Sequence, residues 1–204
     1  MNGVSFAAAG AEIGEMSSRY RSAEKFMALC RDCPSYGRNW ACPPFDLDVG
    51  DYLKKFDYAY VFGVKIVHPA EAVREAVTYE KFMEYSAGVF RGVKGVLSEL
   101  LRALEEKFPG GAGASAGCCD SCSLCARGGG RPCRHPDRPR RSLESLGFDV
   151  GAISEDMLGT RLLWTKDALP EYQMFVNGFF AAREDDAIMN AIMSYLRGWG
   201  ACPL

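Results

Sequence analysis

The sequence predicts a mixed α+β fold in which helices flank a small central β-sheet and two irregular cysteine-rich loops interrupt the regular elements. Three observations support this prediction. Residues 58–67, YAYVFGVKIV, form an apolar run that favours a strand, whereas residues 93–104 repeat apolar side chains at helical spacing. Eight of the nine cysteines fall in two segments that contain glycine and proline, 30–45 and 117–137. The length of 204 residues is typical of one compact domain, here 1–204.

The first half of the chain contributes a predicted helix, a strand and a longer helical region. Apolar side chains with a rough helical period across 11–29 predict a helix that leads into the first cysteine segment. The run 58–67 predicts a strand buried on both faces at the centre of the sheet, because it is almost continuously apolar. A helical pattern then spans 71–104 and ends at a Phe-Pro-Gly sequence. Three glycines within 88–95 predict a break in this helix or the close approach of another backbone or a cofactor.

The second half of the chain alternates between irregular and regular segments. The sequence GGAGASAG at 110–117 predicts a flexible link into the second cysteine segment. SLESLG at 142–147 predicts a short helix that ends at its glycine. TRLLWT at 160–165 and EYQMFVNGFFAA at 171–182 predict two strands. Acidic residues followed by an apolar stripe across 184–197 predict the last helix.

Composition excludes several functional classes. A net charge of -2 gives no overall positive field for nucleic acid. No apolar run approaches the roughly 20 residues that a membrane-spanning helix needs. The N-terminal segment has no lysine or arginine before its short apolar run, so it does not resemble a secretory signal. These features predict a cytoplasmic protein that does not bind a membrane.

The cytoplasmic prediction limits what the cysteines can do. Disulfides are rare in reducing compartments, and an odd count of nine cysteines cannot pair completely. A thioredoxin-like redox pair belongs between a strand and a helix of a βαβ unit, and neither cysteine segment lies there. Metal binding remains as the interpretation for both segments.

The second segment has the spacing of an iron-sulfur site. Cys119, Cys122 and Cys125 form a Cys-x2-Cys-x2-Cys run, and Cys133 follows after seven residues. Bacterial-type [4Fe-4S] ferredoxins use this three-cysteine run with one further cysteine. Zinc sites usually separate two Cys-x2-4-Cys pairs by a dozen or more residues. The spacing therefore favours an iron-sulfur cluster over zinc.

The first segment provides three thiols and needs a further ligand. Cys30, Cys33 and Cys42 are one thiolate short of the four that tetrahedral zinc or a fully ligated cubane uses. A non-protein ligand at an open iron is one way to complete the set. The protein candidates for the fourth ligand are Cys118, Cys133, Cys202 and His135.

Arginine and aromatic side chains accompany the cysteines. Six arginines fall within 127–141, and Arg131 and Arg134 are candidates to offset the negative charge of an all-thiolate cluster. Tyr36 and Trp40 lie inside the first segment, where aromatic rings can shield a cluster from water. The arginines are also explained by a solvated basic face, or by an acidic protein, a nucleotide phosphate or RNA as partner. No motif of a known nucleic-acid reader accompanies them.

The combined motifs resemble a known family. The first segment reads C-x2-C-P-x-Y-x3-W-x-C-P-P, and a C-x2-C-x2-C run, a C-R-H-P segment and R-x-S-x-E-x2-G-x-D-V follow. Together they resemble the predicted metal-binding proteins with domain of unknown function 2284, over roughly residues 20–181. The resemblance implies a cysteine-ligated metal site in a cytoplasmic protein of mostly anaerobic bacteria and archaea, and it implies no reaction.

The family pattern selects seven of the cysteines and their surroundings. It does not require Cys118 or Cys202, so we expect both to be dispensable as ligands. The cysteines selected are Cys30, Cys33, Cys42, Cys119, Cys122, Cys125 and Cys133. The surrounding residues selected are Tyr36, Trp40, Pro43, Pro44, Arg134, Pro136, Ser142, Glu144 and Gly147.

Three functions are consistent with these observations. The first is a protein that binds one or two [4Fe-4S] clusters and transfers electrons, or serves as redox partner of another protein or enzyme. The second is a structural zinc protein whose arginine face contacts a partner. The third is an enzyme with an incompletely ligated cluster that binds substrate at an open iron, by analogy with catalytic metal sites.

Overall fold

The computed structural model describes residues 3–165 and 168–200, and it confirms the mixed α+β class. The strands are β1 (Gly3–Glu12), β2 (Tyr58–Val67), β3 (Ala112–Ala114) and β4 (Tyr172–Ala181). The helices are α1 (Ile13–Tyr20), α2 (Ala23–Arg31), α3 (Val49–Leu53), α4 (Ala70–Glu75), α5 (Tyr79–Lys107), α6 (Val150–Leu158) and α7 (Asp186–Gly200). Two short 3₁₀ turns cover Ala126–Gly129 and Glu144–Leu146. Within the described ranges, no helix is both long enough and apolar enough to cross a membrane.

The four strands form one antiparallel sheet in the order β1-β2-β4-β3. β2 pairs with β1 along its whole length, from Val67 opposite Gly3 to Tyr58 opposite Glu12, and its other edge pairs with β4. The strand predicted at 58–67 is therefore confirmed, and it lies in the middle of the sheet. The position explains its sequence, because a strand covered on both faces needs apolar side chains on both.

Hydrophobic cores cover both faces of the sheet. Phe62 of β2 and Phe179 of β4 pack in a core with the apolar stripes of α5 and α7. The neighbouring residues Val61 and Phe180 belong to the opposite core, which includes side chains of α1 and α6. Adjacent residues of a strand point to opposite faces, so β2 and β4 each contribute side chains to both cores. The sheet is thus covered on both faces. The second cysteine loop follows β3 of the sheet, whereas the first continues from α2, which packs against the 3₁₀ turn at Glu144–Leu146.

The helices predicted in the first half of the chain are confirmed, with breaks at other positions. The helix predicted over 11–29 divides into α1 and α2, because Arg21 is extended and forms a β-bridge with Phe148. The helix predicted over 71–104 divides into α4 and α5. The break comes just before Thr78, whose hydroxyl caps α5 by accepting a hydrogen bond from an amide of its first turn.

The glycines of α5 do not break the helix. α5 is continuous across 88–95, and a Cβ atom added to Gly88 or Gly95 would contact no neighbouring element within 4 Å. The prediction of a break is therefore wrong, and so is that of another backbone close to Gly88 or Gly95. The buried stripe on the opposite side of α5 stabilises the helix through tertiary packing, which outweighs the low helix propensity of glycine.

Three predictions in the second half are confirmed and two are wrong. The short helix predicted at 142–147 appears as the 3₁₀ turn Glu144–Leu146, which ends at Gly147. The strand at 171–182 appears as β4, and the helix at 184–197 appears as α7. The segment 160–165 forms no strand. Its Trp164 is 77% exposed, and strand propensity has little effect without a surface to pack against. The predicted flexible link at 110–117 instead contains β3, which pairs with the end of β4.

Candidate metal centre

The first cysteine loop, 30–45, is a series of turns that continues from α2. Cys30 lies in the last turn of α2, and its carbonyl accepts a hydrogen bond from the Cys33 amide at 3.1 Å. The Cys42 amide donates to the Asn39 carbonyl at 3.0 Å. The buried Asn39 side chain also accepts from a backbone amide two residues later, at 2.9 Å. Local hydrogen bonds therefore hold the three cysteines of this loop in a defined arrangement.

Hydrogen bonds near both ends of the second cysteine loop, 117–137, attach it to the rest of the fold. The Ser115 amide donates to the Arg141 carbonyl at 3.1 Å, which joins the two ends of the loop. The Ala116 amide donates to the side-chain oxygen of Asn177 in β4 at 3.0 Å, and Asn177 is 1% exposed. The glycine-rich segment predicted as a flexible link is thus attached to the sheet.

Arg127 of the second loop joins it to the first. Its guanidinium group donates hydrogen bonds to the carbonyl oxygens of Asn39, Cys42 and Pro44. The same group lies 4.9 Å from the centre of the Trp40 ring, a distance at which a cation is attracted to an aromatic face. One side chain therefore satisfies three backbone acceptors of the first loop.

Two further hydrogen bonds connect the loops. The Asn39 side-chain amide donates to the Cys119 carbonyl at 2.7 Å. The indole nitrogen of Trp40 donates to the Arg131 carbonyl at 3.1 Å. Arg131 thus contributes its backbone to the contact between the loops, and the two cysteine loops form one packed unit.

The four cysteines selected from the second group line one cavity. Trp40, Arg134 and His135 also line it, and its lining contains no carboxylate. The Arg134 guanidinium donates to the Leu124 carbonyl at 2.9 Å, and the His135 amide donates to the sulfur of Cys133 at 3.4 Å. The cavity holds about 20 Å³. Its cysteines are Cys119, Cys122, Cys125 and Cys133.

The cysteines of the first loop line a second and larger cavity of about 500 Å³. Tyr36 and the exposed Trp164 contribute to its mainly apolar lining, and Cys118 joins the three thiols of the loop. Burial raises the pKa of Cys42 to about 12, with the neighbouring thiols of Cys118, Cys33 and Cys30 adding to the rise and Arg127 opposing it. The four thiols lining this cavity are Cys30, Cys33, Cys42 and Cys118.

Ser142, Glu144 and Ser145, in the segment 142–147, form another wall of the larger cavity. Glu144 lies there, and its pKa is raised by burial despite a hydrogen bond from Ser142. The same carboxyl group contributes to a raised pKa of Cys30, after burial and the Cys33 thiol. Gly147 ends the 3₁₀ turn with a φ of 92°, and a Cβ atom there would lie 3.1 Å from the backbone of α2. The glycine lets this wall approach the helix that carries Cys30.

Lys94 is a residue of the site that the sequence analysis missed. It lies on the buried stripe of α5 with Leu97 and Leu101, and only 9% of the residue is exposed. Its ammonium group donates to the Cys118 carbonyl at 2.6 Å and lies 3.4 Å from a carboxylate oxygen of Asp120. A lysine at an otherwise apolar position of a helical stripe is the sequence signal that could have identified it.

The arginines predicted as one cluster have different roles. Arg131, Arg134 and Arg138 are exposed. Arg140 is paired with Glu105 of α5, so its charge is already compensated. The charge available to a partner or a cluster is therefore smaller than the count of six arginines suggested.

The donor set fits a thiophilic metal centre. Across 3–165 and 168–200, no three Cys, His, Asp or Glu side chains converge as they would around a single bound ion. The thiols line cavities instead, in two sets of four. Thiolate ligands select zinc, Cu(I) and iron-sulfur clusters, and four ligands suit either tetrahedral zinc or a cubane. Cys202, one candidate for the fourth ligand, lies outside the described residues.

Comparison with known proteins agrees with this interpretation at the level of the family. No curated protein and no solved structure matches the chain significantly. The family described as predicted metal-binding protein (DUF2284) matches residues 17–176, a range that includes both cysteine loops and most of the sheet. The chain therefore belongs to this family of predicted metal-binding proteins.

Proposed function

We propose that the protein binds a [4Fe-4S] cluster through Cys119, Cys122, Cys125 and Cys133 and exchanges single electrons with a partner protein. The observation that carries the proposal is that these four thiols line one cavity without a carboxylate. Their Cys-x2-Cys-x2-Cys spacing is the one used for cubane clusters. A bound cluster of this type supplies one-electron redox chemistry at a potential that depends on nearby charge and hydrogen bonds.

Residues around the cavity have roles that suit such a cluster. Trp40 covers one side of the cavity and excludes water from it. Arg134 brings a positive charge to the lining, which stabilises an all-thiolate centre and raises its potential. Arg127 donates its hydrogen bonds to carbonyl oxygens of the first loop, so it acts mainly by holding the two loops together.

The exposed surface of the second loop is a candidate site for the partner. Leu124 is 75% exposed at this surface, and Arg131, Arg134 and Arg138 are exposed in the same loop. An apolar side chain among cations is suited to an acidic protein surface. Such a partner would dock beside the cavity through which electrons enter and leave.

A structural zinc ion is the second candidate, and the volume of the cavity favours it. About 20 Å³ is close to the space needed by one water molecule, so a single ion enters with less rearrangement than a cubane. In this alternative, the ion ties the second loop together and the arginine surface binds a partner. A cubane requires the loop to open, and the glycines at 128–130 provide backbone freedom for that change.

Metal analysis distinguishes the two candidates. The full chain is purified without oxygen and reconstituted with iron and sulfide, and zinc is offered in a parallel sample. About four irons and four sulfides for this site, with visible absorption that bleaches on reduction, support the cluster. A colourless protein that binds stoichiometric zinc and takes up no iron under these conditions contradicts it.

A pair of variants tests the ligand assignment. In Cys122→Ser, we expect the thiols of Cys119, Cys125 and Cys133 to become reactive towards an alkylating reagent, because the cluster has lost one ligand. In Cys118→Ser, the same three thiols should stay protected. Mass spectrometry of the alkylated peptides gives the result, and equal protection in both variants would refute the assignment.

A further inference from the structure

Two adjacent cysteines line different thiol-rich cavities. Cys118 lies with the thiols of the first loop, whereas Cys119 lies with those of the second group. Both also line a third cavity, whose lining in the described part of the chain includes no other cysteine. Both residues are half-buried. The peptide between them therefore separates the two sets of thiols.

The position of Cys118 beside the first loop follows from the cavity that they share. Cys118 lines the cavity of about 500 Å³ together with Cys30, Cys33 and Cys42. Sequence separation hides this relationship, because Cys118 lies 76 to 88 positions after the three cysteines of the first loop, as their numbers show.

Separate hydrogen bonds hold the backbone of the two cysteines. The buried ammonium group of Lys94 donates to the Cys118 carbonyl at 2.6 Å, and the Asn39 side chain donates to the Cys119 carbonyl at 2.7 Å. The first bond comes from α5 and the second from the first cysteine loop. The direction in which each side chain leaves the backbone is therefore set by the core and by the opposite loop.

We infer that Cys118 is the fourth ligand of a second metal site, with Cys30, Cys33 and Cys42. The protein then carries two four-thiolate sites, joined by the Cys118–Cys119 peptide. Four thiolates complete the ligand set of either zinc or a cubane. The inference extends the proposed function, but it does not depend on which metal the second group binds.

Two other candidates for the fourth ligand in the described part of the chain are less well placed, because Cys133 and His135 line the cavity of the second group. Cys202 lies outside the described residues. A further alternative is a three-thiolate site that leaves one coordination position open to the apolar cavity of about 500 Å³, a volume within the range of small-molecule pockets. The state of Cys118 distinguishes a closed site from an open one.

Two adjacent sites would also lie close enough to interact. Consecutive Cα atoms are about 3.8 Å apart, so the shortest covalent path between the two sites consists of one peptide unit and two cysteine side chains. A change of charge at one centre would then affect the other with little screening by solvent. The arrangement is suited to passing a charge between the centres.

Titration with Co²⁺ tests the inference on the full chain. The reduced, metal-free protein is titrated without oxygen, and the thiolate-to-cobalt absorption band reports occupancy. We expect about two equivalents for the wild type, one for each set of four thiols. Cys118→Ala and Cys122→Ala should each bind one equivalent tightly. The weakened site in each variant should lose more than about 100-fold in affinity for cobalt. This loss is larger than that caused by replacing a residue that only hydrogen-bonds to a ligand.

Alkylation of the cobalt-loaded wild type gives a readout that needs no variant. If Cys118 is a ligand, it is protected together with Cys30, Cys33 and Cys42. Far-UV circular dichroism and thermal melting of metal-free Cys118→Ala show whether that variant folds like the wild type. If it does not fold, the protection pattern of the wild type decides the question.

Several outcomes would overturn the inference. The site is completed in another way if Cys118 stays reactive towards the alkylating reagent in the cobalt-loaded wild type. The same conclusion follows if Cys118→Ala binds both cobalt equivalents with the affinity of the wild type. Binding of only one equivalent by the wild type, with Cys30, Cys33 and Cys42 still reactive towards the alkylating reagent, would show that the first loop holds no ion. A further outcome separates this inference from the proposed function. If the protein forms no iron-sulfur cluster but binds two equivalents of cobalt with Cys118 protected, the proposed cluster is refuted and this inference stands.

Discussion

Replacing Arg127 with lysine separates two roles that an arginine beside a metal centre can have. Lysine keeps the positive charge but lacks the planar fork of donors. Arg127 now donates to three carbonyls of the first loop, at Asn39, Cys42 and Pro44. An ammonium group can reach one of them, so Arg127→Lys should lose two hydrogen bonds between the loops while the local charge stays the same.

The expected magnitude follows from these bonds. A hydrogen bond from a charged donor contributes about 1.5–3 kcal/mol, and the bond to Pro44 is exposed, so water replaces part of its contribution. We therefore expect the docking of the loops to weaken by about 2–4 kcal/mol. At about 1.4 kcal/mol for each factor of ten, first-loop amides should open about 30- to 700-fold more often. Hydrogen exchange at the Gly37 and Cys42 amides, both hydrogen-bonded within this loop, measures the change.

Arg131→Ala is the matched control. It removes an exposed positive charge from the same loop but keeps the backbone carbonyl that accepts the Trp40 hydrogen bond. Exchange in the first loop should therefore stay at the wild-type rate in this variant. If Arg127→Lys also exchanges at the wild-type rate, Arg127 does not hold the loops together. Equal loss of metal affinity in Arg127→Ala and Arg131→Ala would then assign the effect to charge alone.

Two further predictions concern the supports of the site. Lys94→Met removes the donor to the Cys118 carbonyl, and the loss of about 1.5–3 kcal/mol should weaken metal binding about 10- to 150-fold in a Co²⁺ titration. Lys81→Met, at an exposed position of the same helix, should change nothing, and equal affinities in the two variants would contradict the prediction. Gly147→Ala should lower the free energy of unfolding in urea by about 1–3 kcal/mol, because its φ of 92° and the nearby α2 backbone leave no place for a methyl group. Gly95→Ala, in the open part of α5, should instead raise it by up to about 1 kcal/mol, and unfolding curves that coincide would refute the argument.

Elements with a strong local signal could be predicted from the sequence. β2 was found over the same residues as its apolar run, because a strand covered on both faces shows little polar interruption. The last helix was found for a similar reason, since its acidic first turn and apolar stripe agree with each other. The run at 160–165 has strand-forming residues as well, yet it forms no strand because strand propensity depends on a packing surface that the fold does not offer.

The sequence missed elements whose stability comes from their surroundings. β1 contains four alanines and two glycines, a composition with weak strand propensity, but it pairs with β2 over ten residues. β3 is only three residues long. It is held by its pairing with β4 and by the hydrogen bond from the following Ser115 amide to the Arg141 carbonyl. The seven cysteines, in contrast, were recognised directly, because ligand spacing within a loop is a property of the local sequence. That their role is metal binding is supported by the family to which the chain belongs.

The sequence by itself determined that two cysteine groups exist, and that one of them has four thiols at cluster spacing and the other has three. Only the tertiary structure decided which distant residues meet these groups. It placed Cys118 with the thiols of the first loop and Cys119 with the other thiols of the second. It also brought Lys94 to the backbone of the second loop and Arg127 to the backbone of the first. The physical reason is that adjacent side chains can point in opposite directions, and their partners depend on how α5 and the two loops pack. We had expected Cys118 to be dispensable because the family pattern does not require it, and its position in the fold led us to infer a ligand instead.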